Sequence, residues 1–539
     1  MKNFKFISIL ALGLLITVSC EQELIVTTPP IVTPEPSTGT PGSADFSKFI
    51  AVGNSFVAGV QGGALFTEGQ NNSLPAIMAK QFAVSGVGGG DFVQPSINAT
   101  LGYNLFITQP ILSDPSKPVL GRMLLQGASP KPTPQAYAVG NLEALPNPAA
   151  NAAFIYPGGK AINNFGIPAI VLGQSLIAET GAWAGAGVDP RFSPFYGRLA
   201  YPGTGTSTII GDAAAAGGTF FMFWLGLDDF FLHAAFGGDA TKAPLTSSAA
   251  FNFQYGLAIG GMLTDPNIKG VVGNFPDIFK MPHFTSVPYN PIPLDAATAT
   301  AVGGGFAGYN AALDGLLANK VAFGISDNLA AEIATRKVTF TEAPNNKALI
   351  LDEYLVDLGP YFDGLLGVAA ITTDQRNALT PYQQVRQTTS TDILPLSAGS
   401  ILGTTVGGNP LLVNGVSVPL ADQYVLTPTE ITAIKDARAA FNTTVAATVN
   451  ANSSRLALAD IDAAMSGLVG AGAAVLNNVT ITPNINPPTG FYSEDGAHPN
   501  SRGYAFLSRT FIAAINAKFG ATVPLTDVSL YSATALPIP

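Results

Sequence analysis

A hydroxyl becomes a useful nucleophile only when a base takes its proton and a third group holds that base in place. The chain has three histidines from which such a base could come, His233, His283 and His498. His498 stands in Asp-Gly-Ala-His-Pro-Asn, with Asp495 three residues ahead of it. At that spacing a carboxylate can accept the Nδ1–H hydrogen bond and leave Nε2 facing a serine. Ser55 lies in "FIAVGNSFVAG" (49–59), where an apolar run stops at a Gly-Asn-Ser turn. Two readings of it stand: it caps the helix that follows, or the turn displays its hydroxyl. A negatively charged tetrahedral intermediate would need donors as well. The backbone N–H of Ser55, the backbone N–H near Ala169 and a side chain of the loop holding Asp228 could supply them. No His-Glu-x-x-His, cysteine cluster or Gly-Lys-Ser/Thr loop occurs, so metal and nucleotide sites gain no support and no cofactor is expected.

These groups need a rigid frame. Short apolar runs bounded by turn residues occur at 47–52, 161–167, 219–225, 269–275 and 455–461, and such runs suit strands buried on both faces. Helical patterns lie between them. In "TPTEITAIKDARAAFNTTVAATV", Thr427 can cap, Pro428 fits the first turn, Glu430 completes a capping box, and Ile431, Ile434 and Phe441 share a face. The expected fold is α/β, a three-layer α/β/α sandwich around a mainly parallel five-stranded sheet with long loop insertions. Sites in such folds form at the carboxyl ends of strands. Ser55 lies there, as do "NNFGIPA" (163–169) and "WLGLDDFF" (224–231), while "EDGAHPNSRGYAFL" (494–507) precedes a last helix. His233 and His283, in aromatic surroundings, read as packed or pocket-lining residues. Asp229 reads as a structural acceptor.

The four blocks, in this order, resemble those of the SGNH (GDSL) hydrolase family, in particular its long lipoprotein members from Bacteroidetes-type bacteria. The resemblance spans 47–520, with "GNFPDIFKMPHFT" and "YVLTPTEITAIKDARAAFN" similar to further segments of the long subgroup. It implies Ser55 as nucleophile, His498 as base, Asp495 as its orienting acid, and an oxyanion hole from Ser55, Ala169 and the Asp228 position. The implied activity is that of a serine esterase or lipase-like enzyme acting on an acyl ester of a lipid, sugar or small molecule, without a metal or organic cofactor. Three positions depart from the pattern. Asn54 stands where many members carry Asp, Ala169 where a Gly is usual, and Asp228 where the family has a donating Asn. An ionised Asp228 would repel an oxyanion; a protonated one, or a substitute such as Asn163 or Asn164, would serve. The alternative reading is a catalytically impaired SGNH-like lipoprotein that binds glycan or lipid.

The bulk composition limits the partners. A net charge of −10 over 539 residues repels phosphate backbones, which argues against nucleic acid. Mean hydropathy is +0.32, yet past the first twenty residues Gly, Pro, Asn and Asp interrupt every apolar stretch before it could span a bilayer. "MKNFKFISILALGLLITVSC" reads as an export signal ending in a lipobox at Cys20, the only cysteine, with Thr17 where Leu is usual. Residues 21–45, rich in Pro and Thr, read as a tether, followed by a hydrolase-like domain over 46–520, with insertions near 63–160 and 286–425, and a tail over 521–539. The expectation is a lipid anchor in a bacterial outer membrane, facing the periplasm or the exterior, or simple secretion.

Overall fold

The computed structural model describes residues 38–105, 120–127, 131–136, 154–186, 188–200 and 205–534. The signal, Cys20 and most of the tether lie outside them, as do parts of the first insertion. No described helix is long and apolar enough to cross a membrane.

Five strands form one parallel sheet: β1 (Phe49–Gly53), β2 (Asn164–Gly166), β3 (Phe220–Trp224), β4 (Lys269–Gly273) and β5 (Leu456–Ala459), in the order β2-β1-β3-β4-β5. Four of them lie within the apolar runs of the sequence, and β1 runs one residue past its own, to Gly53. The helices that position the site are α1 (Ser55–Ala58), α2 (Leu74–Phe82), α3 (Ile209–Ala215), α4 (Asp228–Ala235), α5 (Ser248–Met262), α6 (Pro428–Ala451) and α7 (Ser501–Phe519).

Side chains of β3 show how the three layers are held. Because successive residues of a strand point to opposite faces, Phe220 meets Phe82 of α2 and Phe519 of α7, and Trp224 meets Phe511 of α7. Phe223 turns the other way, onto Tyr255 of α5. On that second face Phe251 of α5 stacks on Phe441 of α6 with ring centroids 3.8 Å apart. The α6 start follows its sequence signals: Glu430 Oε2 accepts the Thr427 N–H at 2.7 Å, Pro428 occupies the first turn, and Ile431, Ile434 and Phe441 are buried.

The packed body extends beyond 46–520 at both ends. Ser43 donates to the Phe519 carbonyl, Thr40 and Thr522 exchange hydrogen bonds, and Val523, Val528 and Tyr531 are buried. Residues 286–425 contribute a second apolar core of their own, built around Tyr309, Leu313, Leu316, Ile350, Phe362 and Val385. Two short antiparallel pairs, Ile292–Leu294 with Ala343–Asn346 and Leu349–Leu351 with Val385–Gln387, belong to it. The insertion is thus a subdomain rather than a set of loops.

Removing a fully buried ring from a dense core costs its transfer energy and leaves a cavity. Phe441→Ala is expected to destabilise the folded chain by about 3–5 kcal/mol, read as a lower midpoint in urea denaturation at unchanged slope.

Candidate functional site

The strand register brings the polar blocks to one rim of the sheet. Gly53 ends β1 opposite Gly166 of β2 and Trp224 of β3, so the turns carrying Ser55, Ala169 and Asp228 emerge side by side. Gly53 has to be glycine: a Cβ there would lie 2.2 Å from Val57 and 2.7 Å from the Trp224 carbonyl. The chain turns so tightly that Ser55, only 2% exposed, opens α1 directly. The capping role falls to Asn54, whose Oδ1 accepts the Phe56 N–H at 3.2 Å. Ser55 is therefore not the cap, which removes the simpler of its two readings.

The Ser55 hydroxyl is met by a backbone donor. Ala169 N–H reaches Ser55 Oγ at 2.8 Å. Ala169 takes φ +52°, in the left-handed region where glycine is at ease and alanine is strained. The backbone donor is in place with alanine at this position, at a conformational cost.

His498 and Asp495 are joined as the spacing predicts, with Nδ1 2.8 Å from Asp495 Oδ2. The carboxylate also accepts N–H groups from Ala497 and His498 at 2.8 Å and from Gly63 at 2.5 Å. Burial alone would raise the Asp495 carboxyl, but the imidazole and these donors outweigh it and hold it below the usual range. The Gly63 contact comes from the loop that follows α1, so Asp495 is tied to the segment that carries Ser55. Ser493 adds a second tie by accepting the Gly62 N–H at 2.9 Å. The His498 ring lies against Phe56, the residue after Ser55, at 4.8 Å between centroids. Ser55 Oγ accepts the Ala169 N–H, and no hydrogen bond from its hydroxyl to the His498 imidazole is formed among the described residues; a serine–base hydrogen bond of this kind often tightens only with a ligand bound.

Asp228 stands beside these groups. Burial pushes its carboxyl up to about 7, the neighbouring Asp229 adds to the rise, and His498 and the facing Asn54 amide and Ser55 hydroxyl pull against it. Its Oδ2 and the Asn54 Nδ2 are buried without a hydrogen-bond partner. Asp229 accepts from Leu172 N–H at 2.8 Å and Thr246 Oγ1 at 2.9 Å, a structural role. Asn163 and Asn164 do not compensate at the donor position. Their amide groups are spent on the Phe49 carbonyl and on the Val57 carbonyl with Gln94. The amide left over is that of Asn54.

The other histidines support the rim. His233 Nδ1 pairs with the Ala243 carbonyl at 2.7 Å. His283 packs under the Asp495–His498 loop, its Nδ1 3.0 Å from the Asp495 carbonyl and its backbone N–H on Gly496. A Cβ at Gly496, φ +71°, would lie 2.7 Å from that nitrogen. Burial lowers the pKa of both rings, which favours the neutral form. Phe231 packs on His283, Phe284 and His498, giving the site an aromatic wall. Sequence reasoning missed Gly62, Gly63 and Ser493, whose only signal is the pair of glycines after α1. No protein-family model, curated protein or solved structure matches the chain.

The strain at Ala169 predicts an unusual mutational pattern. Ala169→Gly is expected to be neutral or stabilising by up to about 1 kcal/mol, and Ala169→Val to cost about 1–2 kcal/mol or more. Chemical denaturation of the two variants checks this.

Proposed function

We propose that the chain is a serine-dependent ester hydrolase of the SGNH type, with Ser55 as nucleophile, His498 as general base and Asp495 holding the imidazole. The observation that supports this is the convergence of four sequence-distant blocks on the Ser55–Phe56 turn: Ala169 N–H on Ser55 Oγ, the His498 ring on Phe56, Asp495 behind that ring, and Asp228 facing Ser55. His498 takes the Ser55 proton as the oxygen attacks the ester carbonyl, then returns it to the leaving alcohol; water repeats the sequence to release the acid. Ala169 N–H, which rests on Oγ in the free enzyme, and the Ser55 N–H would turn to the oxyanion. The surroundings are nearly dry, with Ser55, Asp228 and His498 each 2% exposed, so such donors count for more than they would in water. An ester then enters through local opening of the rim, and the Phe231 and Phe284 wall suits an apolar acyl group. Cys20, as a lipidated first mature residue, would hold the enzyme at an outer membrane.

The third donor is where this chain departs from the family it resembles. We assign it jointly to the Asn54 amide and to the protonated form of Asp228. Asn54 Nδ2 is a buried donor that faces Asp228 without completing a hydrogen bond of normal geometry, and a carboxyl whose pKa is about 7 keeps its proton below that pH and donates it as a hydrogen bond. Above that pH the ionised group repels the oxyanion. A lasting negative charge there is also what favours the second reading, a binding protein that retains ligand without turnover.

Purified protein lacking its first 37 residues is expected to cleave short-chain p-nitrophenyl esters, with Ser55→Ala lowering kcat by roughly 10⁴-fold or more. Absence of turnover by the wild type across a panel of acyl lengths, with ligand binding kept in Ser55→Ala, would favour the binder instead.

The Asp228 assignment fixes the sign of a pH effect. Its folded pKa is raised from 3.8 to about 7, so the folded state holds this proton more tightly than the unfolded one. Its contribution to stability is therefore fully present below about pH 4 and is lost as pH rises to about 7. The donor function disappears over the upper part of the same window. Asp228→Asn is expected to raise kcat/KM at pH 8 by roughly 10- to 100-fold and to raise Tm at pH 8 more than at pH 5. A pH–rate profile of the variant identical to that of the wild type would refute the role.

A further inference from the structure

Away from the hydrolytic rim, three carboxylates meet where the inserted subdomain joins the sheet domain. They are Glu353, beside the Leu349–Leu351 strand, Asp422, in the turn before α6, and Glu430, in the first turn of α6. One oxygen of each lies within 4.8 Å of the other two. No Lys or Arg forms an ion pair with any of them among the described residues, and the nearby Arg386 is committed to Asp352 and Asp392.

Glu430 makes this more than a crowd of surface acids. It is 2% exposed. Its Oε2 accepts both the N–H and the hydroxyl of Thr427, at 2.7 and 2.8 Å, while Oε1 is buried with no partner. That free oxygen lies against Gly238, in the turn after α4; at Gly237 of the same turn a Cβ would stand 2.2 Å from the Asp422 carbonyl. Asp422 Oδ1 is likewise buried and unpartnered. Burial, together with Glu353, Asp239 and Asp352, drives the Asp422 carboxyl up, and Glu353 and Asp422 add to the rise at Glu430. Unpartnered buried oxygens are costly, and several acids converging on them call for positive charge.

We propose that Glu353, Asp422 and Glu430 form a calcium site that pins the 286–425 subdomain to the sheet domain. The donors are all oxygen, with no His or Cys, which selects a hard cation. Ligand number separates the two common ones. Mg²⁺ keeps several waters and is usually bound through one or two carboxylates, whereas Ca²⁺ takes several protein carboxylates in flexible geometry, so three carboxylate oxygens within 4.8 Å of one another suit Ca²⁺. Exposed Glu353 leaves one side open for entry and for water ligands. The ion would bridge the turn before α6, α6 itself and the subdomain, beside the end of the α4 helix that Asp228 begins. This site does not depend on the hydrolase reading.

The test is calcium binding to the purified chain lacking its first 37 residues, by calorimetry and by Tb³⁺ luminescence excited through tyrosine. The Tyr354 phenol is close enough to feel all three carboxylates. One Ca²⁺ per chain is expected, with Kd about 10⁻⁴–10⁻³ M, displacing Tb³⁺, and Glu353→Gln is expected to weaken it at least tenfold. Glu430→Gln should remove it. Should that buried variant fail to fold, exposed Glu353→Gln decides alone. No binding up to about 5 mM Ca²⁺, binding unchanged in Glu353→Gln, or a preference for Mg²⁺ would overturn the proposal.

Discussion

A carboxylate sealed from water stays ionised only if other groups replace its hydration. Asp495 and Asp228 are both fully withdrawn from solvent at the same rim, and they end in opposite states. Asp495 is surrounded by donors from Gly63, Ala497, His498 and the His498 ring. Asp228 has an unpartnered oxygen and an acidic neighbour. A permanent charge behind the imidazole and a titrating one beside the hydroxyl follow from that difference in donors. In the proposed enzyme the first fixes the base and the second governs how well an oxyanion is received.

The donors around Asp495 depend on the fold. Gly63 reaches it because α1 is a single short turn, which sends the chain straight back past Ser55. That turn is possible because Gly53 lets the end of β1 press against Val57 and Trp224. The imidazole is placed from below by His283 and from the side by Phe56 and Phe231. Aromatic rings on both faces of β3, from Phe220 to Trp224, fix the helices that carry these segments. The sheet supplies rigidity, and the loops at its rim carry the groups of the proposed site.

Much of this was legible from the residues alone. Five short apolar runs became the five strands because strands buried on both faces need uninterrupted apolar sequence. Thr427, Pro428 and Glu430 announced α6 because capping is local. The Asp495–His498 pair was visible for the same reason, its three-residue spacing being short enough to fix geometry. Features that depend on contacts between distant segments were not legible. Nothing in the local sequence tells Asn163 and Asn164, whose amides are spent on the backbone, from Asn54, whose amide faces Asp228 without a full hydrogen bond. The second core of 286–425 was hidden because its apolar residues are spread among many Gly, Pro and Asn. Glu353, Asp422 and Glu430 come together only through tertiary packing.

The central claim is that Ser55 is an activated alcohol at this rim. The most direct measurement is peptide mapping by mass spectrometry after treatment with a fluorophosphonate, which reacts with a serine only when a neighbouring base draws off its proton. The account predicts a single adduct on Ser55, lost when His498 is replaced by alanine. An adduct on a different serine, or none on a folded chain, would contradict it.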